Sequence, residues 1–167
     1  PDYATFLFNN VRYHDDGSEK KDFIMNHARY RHGQIIVADA NWGCGSSREA
    51  AVYALLANNI RAVIAPSFGD IHYNNGMKNG MLPVCLSISD CSTLRKQIKN
   101  SPGSKISINL IDQLVVGPDG TKYKFAIDPM HKHCLVNGLD DISLTLEYED
   151  ELTNYEKKRQ ICAPWLY

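Results

Sequence analysis

The stretch Asn41-Trp42-Gly43-Cys44-Gly45-Ser46-Ser47-Arg48-Glu49 gathers the residue types best suited to chemistry. Gly43 and Gly45 allow a tight turn and a close backbone approach to a ligand. Ser46 to Ala57 reads as a helix, with Ser46 and Glu49 spaced as a capping box. The turn would then deliver a helix N-terminus, where unpaired N–H groups and the positive dipole end favour an anion. Arg48 adds a planar fork that suits a carboxylate or phosphate. Ser46 and Ser47 bring hydroxyl donors, or a nucleophile or base if their pKa is lowered. These residues read as an anion site at a strand-to-helix turn, and a helix cap built on two glycines accounts for the same spacing.

Other motif chemistries fail on single positions. A phosphate-binding P-loop needs Gly-Lys-Ser/Thr, and no Lys stands here. The dinucleotide fingerprint needs a third Gly where Arg48 sits. A G-x-S-x-G elbow needs Ser where Gly45 sits. Cys44 has no local His partner and reads as a small buried residue rather than a thiol nucleophile. Cys44, Cys85, Cys91, Cys134 and Cys162 are an odd number without C-x-x-C spacing. That argues against a disulfide framework and for a reducing cytoplasm, and it gives no zinc or iron–sulfur signature. His131-Lys132-His133, the one close histidine pair, reads as surface side chains, so no metal ligand is assigned in this chain.

These residues need a scaffold. Gln34 to Asp39 is a short β-branched run read as a buried strand, and Ile60 to Ala65 is another. With the intervening helix they form a βαβ unit, which sets the Gly-rich turn at the carboxyl end of its first strand, where α/β folds bind ligands. A second helix follows Pro66, with Ser67 as N-cap and an end near Asn75-Gly76 or Asn79-Gly80. Leu82 to Ser87 is a third strand, and Pro83 suits its start or a sheet edge. Ser89 to Asn100 is a further helix. Lys105–Val116 and Thr121–Ile127 flank Gly117-Pro118-Asp119-Gly120 and read as a β-hairpin. Helices follow from Met130 with a break at Gly138, and the charge run from Glu147 to Arg159 suits a solvated helix. The first 33 residues are irregular apart from a short helical stretch at Phe23–Met25.

With 167 residues and 44% hydrophobic content the chain is expected to form a single domain over 1–167. A net charge of -1 argues against non-specific nucleic-acid binding. No apolar run reaches the ~18 to 20 residues of a membrane span.

Gly43-Cys44-Gly45-Ser46-Ser47-Arg48-Glu49, Arg61-Ala62-Val63-Ile64-Ala65-Pro66-Ser67-Phe68 and Tyr73-Asn74-Asn75 with Lys78-Asn79-Gly80-Met81-Leu82-Pro83 closely resemble the 3-isopropylmalate dehydratase small-subunit family. Those subunits correspond to the swivelling domain of aconitases. The likeness extends from about Leu7 to Trp165, through His133-Cys134-Leu135, Asn137 to Ile142 and the closing Pro164-Trp165-Leu166. It implies an aconitase-type swivelling β/β/α domain of the α/β class, with a βαβ core, a C-terminal hairpin and terminal helices. It also implies a large subunit bearing a [4Fe–4S] cluster, with no cofactor in this chain. An isopropylmalate-type dicarboxylate is the implied substrate. By the same resemblance Ser46 is the base, while Ser47 and Arg48 bind the substrate carboxylate.

Two departures stand out. Family members usually continue Arg-Glu-His-Ala-Pro, whereas Ala50 and Val52 replace the His and Pro here. The family's first segment, with its Asp-x-Asp-x-Ile-x-Pro motif, is absent, so a strand and part of a substrate loop are expected to be lacking. A homoaconitate, dimethylmalate or citraconate dehydratase is the alternative within the class, and a non-catalytic accessory or binding module the alternative outside it. Arg12 lies where the family recognises the variable part of the substrate, and a surface salt bridge is its competing structural role.

Overall fold

A computed structural model describes residues 2–166. Strands β1 (Ile35–Val37), β2 (Ala62–Ala65) and β3 (Leu82–Cys85) form a parallel sheet in the order β1-β2-β3. Helices α2 (Ala50–Ala57) and α3 (Asp70–Lys78) make the two crossovers, while α1 (Asn9–Arg12) lies in the N-terminal arm. Ile36 pairs with Val63 and Ile64 with Val84. Pro83 sits on the edge strand, where its missing N–H breaks no ladder.

Side chains of β2 alternate between two hydrophobic clusters, as strand geometry requires. Val63 and Ala65 join Val52, Leu55, Ile60 and Met81 on one face. Ile64 joins Val84, Cys91, Leu94, Val115 and Phe125 on the other. The second face is covered by α4 (Ile88–Asn100), capped where Ser87 accepts from the Asp90 N–H at 3.1 Å. A second sheet also covers it, with order β4 (Ser107–Asn109), β5 (Leu114–Val116) and β6 (Lys122–Lys124). A parallel sheet covered on both faces accounts for continuous apolar runs such as Ala62–Ala65.

That antiparallel sheet corrects the expected hairpin, because Lys105–Val116 is two strands. The chain reverses between Asn109 and Leu114, where Asn109 Oδ1 accepts from the Asp112 N–H at 2.9 Å and Gln113 adopts a φ of 54°. The Gly117–Gly120 turn between β5 and β6 is where the sequence placed it. Helices α5 (Pro129–Asn137), α6 (Asp141–Leu146) and α7 (Glu149–Cys162) end the chain, with Gly138 in the left-handed region as the break. Every residue of α7 is exposed, and no helix among the described residues is long and apolar enough to cross a membrane.

Candidate functional site

The loops leaving the carboxyl ends of β1 and β2 are zipped together. Trp42 N–H donates to the Ser67 carbonyl at 3.0 Å, and Gly69 N–H returns a bond to the Trp42 carbonyl at 2.9 Å. Ser67 Oγ accepts from the Asn41 N–H at 2.8 Å and donates to Asn41 Oδ1 at 3.2 Å. Ser67 is therefore not the N-cap of α3; Gly69 holds that place. The hydroxyl is spent on joining the two loops.

Gly43 has a φ of +77°, and a Cβ there would lie 2.4 Å from His72 Cγ. Both facts require glycine. Gly45 differs: its φ is not positive and nothing stands within 4 Å of its missing Cβ. Ser46 N–H donates to the Gly43 carbonyl at 2.8 Å, closing the turn.

This closure corrects the helix start. Helix α2 begins at Ala50 with Glu49 as N-cap residue and no side-chain cap. The expected capping box does not form, because Ser46 N–H is used by the turn and Glu49 Oε1 accepts from Asn79 Nδ2 at 2.8 Å. Ser46, Ser47 and Arg48 lie in the loop just ahead of α2, with Ser46 half-buried and the other two exposed. The N–H groups of Ser47, Arg48, Glu49 and Ala50 have no acceptor among the described residues. Arg48 likewise makes no ion pair among them. Four free N–H groups beside a free guanidinium form an arrangement that can grip a carboxylate.

Ser46, Ser47 and Arg48 share a cleft of about 820 Å³ with apolar side chains from the N-terminal arm, chiefly Phe6, Leu7 and Phe8. Tyr3 lies at the same arm and packs edge-to-face on Tyr53 of α2, with ring centroids 5.3 Å apart. Ala50 also borders the cleft, whereas Val52 is fully buried in the core. His72, on the first turn of α3, lies beneath the turn at 3% exposure, and burial pushes its pKa below the ordinary 6.5. The aromatic arm and His72 were not assigned from the sequence. A lone histidine carries no motif, although its place just past the carboxyl end of β2 is the signal available.

Two further expectations change. Cys44 is exposed, because the turn packs through its backbone: a Cβ on Gly69 would meet Cys44 Cα at 3.0 Å. Arg12 is buried at 8% exposure and pairs with no carboxylate; Nε donates to Asn26 Oδ1 at 3.0 Å and a guanidinium N–H to Asn58 Oδ1 at 2.7 Å. It ties the N-terminal arm to the end of α2 and lies outside the cleft lining. Of the two histidines expected at the surface of α5, His133 is exposed and contacts Glu147 at 3.2 Å, whereas His131 is half-buried with its Nδ1 enclosed.

Comparison with known proteins follows the same outline. Residues 5–89 match the aconitase C-terminal domain, 92–129 the LeuD_N family, and 141–167 the C-terminal domain of the 3-isopropylmalate dehydratase small subunit. A 3-isopropylmalate dehydratase small subunit of Rhodopseudomonas palustris (strain BisA53) is 50% identical over 159 residues, covering 95% of this chain and 79% of that one. One from Paramagnetospirillum magneticum is 46% identical over 160 residues, covering 96% and 80%. The crystal structure of 3-isopropylmalate dehydratase (leuD) from Methanocaldococcus jannaschii shares the fold, with a TM-score of 0.62 at 24% identity over 94% of this chain and 83% of that one.

Proposed function

This chain belongs to the family of 3-isopropylmalate dehydratase small subunits, and from that premise we propose that it supplies the serine–arginine half of a heteromeric hydro-lyase of leucine biosynthesis. Its partner is the large subunit. The substrate is 2-isopropylmalate, dehydrated to an alkene and rehydrated as 3-isopropylmalate. The observation that carries this reading is the divided lining of the cleft. Free N–H groups and Arg48 share it with Phe6, Leu7 and Phe8, and a substituted malate divides in the same way into carboxylates and a branched alkyl group.

Arg48 holds one carboxylate through two parallel N–H···O bonds, and Ser47 with the loop N–H groups completes the anion pocket. Ser46 Oγ takes the proton from the carbon beside that carboxylate. The C–H electron pair becomes the C=C bond as the hydroxyl leaves the neighbouring carbon, so proton and hydroxyl together make one water. Rehydration returns them with their positions exchanged. An ordinary serine hydroxyl is too weak a base for this step. Alkoxide character at Ser46 rests on the unpaired N–H dipoles, the Arg48 charge and exclusion of water when the subunits close.

A [4Fe–4S] cluster, which the family employs, finds no set of ligands among the described residues. Among the described residues no three His, Cys, Asp or Glu side chains stand together as a metal site. We assign the cluster to the large subunit. The chain acts as one swivelling domain closing over that partner. Cytoplasmic residence is supported by five cysteines that are all free.

Assembly with the large subunit, followed by turnover on 2-isopropylmalate, homoaconitate and citraconate, tests the assignment. Preference for 2-isopropylmalate is expected, and Arg48→Lys should raise KM by roughly 10- to 100-fold through loss of the fork. A complex that turns over homoaconitate or citraconate but not 2-isopropylmalate would move the substrate to another substituted malate.

A further inference from the structure

The backbone donors that close the Gly43 turn are satisfied, yet two side chains beneath it are not. Trp42 Nε1 and both ring nitrogens of His72 are buried without a hydrogen-bond partner. The two rings meet edge-to-face, 6.5 Å apart, and both border the cleft that Ser46 and Arg48 line. His72 is also the surface on which Gly43 rests, its Cγ and Cδ2 only 2.4 and 2.5 Å from where a Cβ would stand. Through the bond from Ser46 N–H to the Gly43 carbonyl, that ring sets the position of the serine.

An imidazole buried with no partner destabilises the protein, and an apolar ring of similar shape would fill the site without that cost. The unmade bond is therefore available to whatever enters the cleft. Its nitrogens are sealed from solvent, so contact requires the turn to shift as a ligand seats.

We propose that His72 is a positioning residue for the serine turn, left without a hydrogen bond by the protein's own groups and given one by the bound dicarboxylate, so that filling the cleft sets the place of Ser46. The dicarboxylate's identity rests on the function proposed above. An imidazole N–H donates to a carboxylate oxygen; the turn resting on the ring moves with it, and Ser46 follows. No covalent step is involved.

The test uses the complex with the large subunit, the free chain, and the variants His72→Phe and His72→Gln. His72→Phe keeps the ring and removes both nitrogens. It should match or exceed the wild-type thermal midpoint as a free chain, yet raise KM for 2-isopropylmalate about tenfold and lower kcat in the complex. His72→Gln, which restores a donor, should recover most of the KM. A His72→Phe complex with wild-type KM and kcat would overturn the inference while leaving the proposed function standing. A wild-type complex inactive on 2-isopropylmalate would remove both. Should His72→Phe fail to fold, the wild-type complex with 15N-labelled histidine decides: a ring-nitrogen resonance that moves on adding 2-isopropylmalate supports the inference, and an unmoved one refutes it.

Discussion

Arg48 and His72 border one cleft and are opposites in environment. Arg48 is exposed at the cleft without an ion-pair partner among the described residues, so its worth depends on a ligand arriving. His72 is buried, and burial holds its pKa below the ordinary 6.5. Between the folded and unfolded values the unfolded chain binds the proton and the folded chain does not. Stability therefore rises with pH across that window and is lost as pH falls below about 6.5. Thermal melts of the free chain should fall on acidification from pH 7 towards 5, and His72→Phe should lessen the fall. An unchanged slope would remove His72 as its source. That Ser46 and Arg48 stand in one loop beside a cleft was legible because two glycines, two serines and an arginine fall in one run. His72 was not, since its burial without a partner and its contact with Gly43 arise only on folding. Arg12 was misread for a related reason: its partners Asn26 and Asn58 are distant in sequence.

The turn ahead of α2 depends on its two glycines unequally. Gly43→Ala forces a left-handed residue with a Cβ into the His72 ring and should cost roughly 2 kcal/mol or more. Gly45→Ala meets open space and should leave the free chain within about 0.5 kcal/mol of wild type. Because Gly45 borders the cleft, the same change should weaken substrate binding in the complex. Denaturant melts and KM values separate the two effects, and equal destabilisation by both variants would contradict the geometry. Strand and helix identities along Ile35–Asn100 were readable from β-branched runs and helix-forming segments. Their ends were less so. The helix expected from Ser46 starts at Ala50 because Asn79, an element away, engages the Glu49 carboxylate. The expected hairpin became three strands because Asn109 and Gln113 fold a turn that no Gly or Pro announces.

Across the whole chain, order is concentrated around β2. Ile64 is fully buried between α4 and the second sheet, so Ile64→Ala should cost about 2 to 5 kcal/mol in a denaturant melt. Helix α7, by contrast, is exposed throughout its 14 residues, a length at which isolated helices are marginal. Its amides should exchange far faster than those of β2 in the free chain; strong protection there would contradict the packing described. The whole-molecule pattern is a firm sheet presenting a loop with unused donors, which fits the role proposed for it beside a large subunit. Ser46 tests that claim most directly. In the complex with the large subunit, Ser46→Ala should assemble normally and lower kcat on 2-isopropylmalate by about 10²- to 10⁴-fold, the usual worth of a general base. Full turnover by the assembled Ser46→Ala complex would contradict the account.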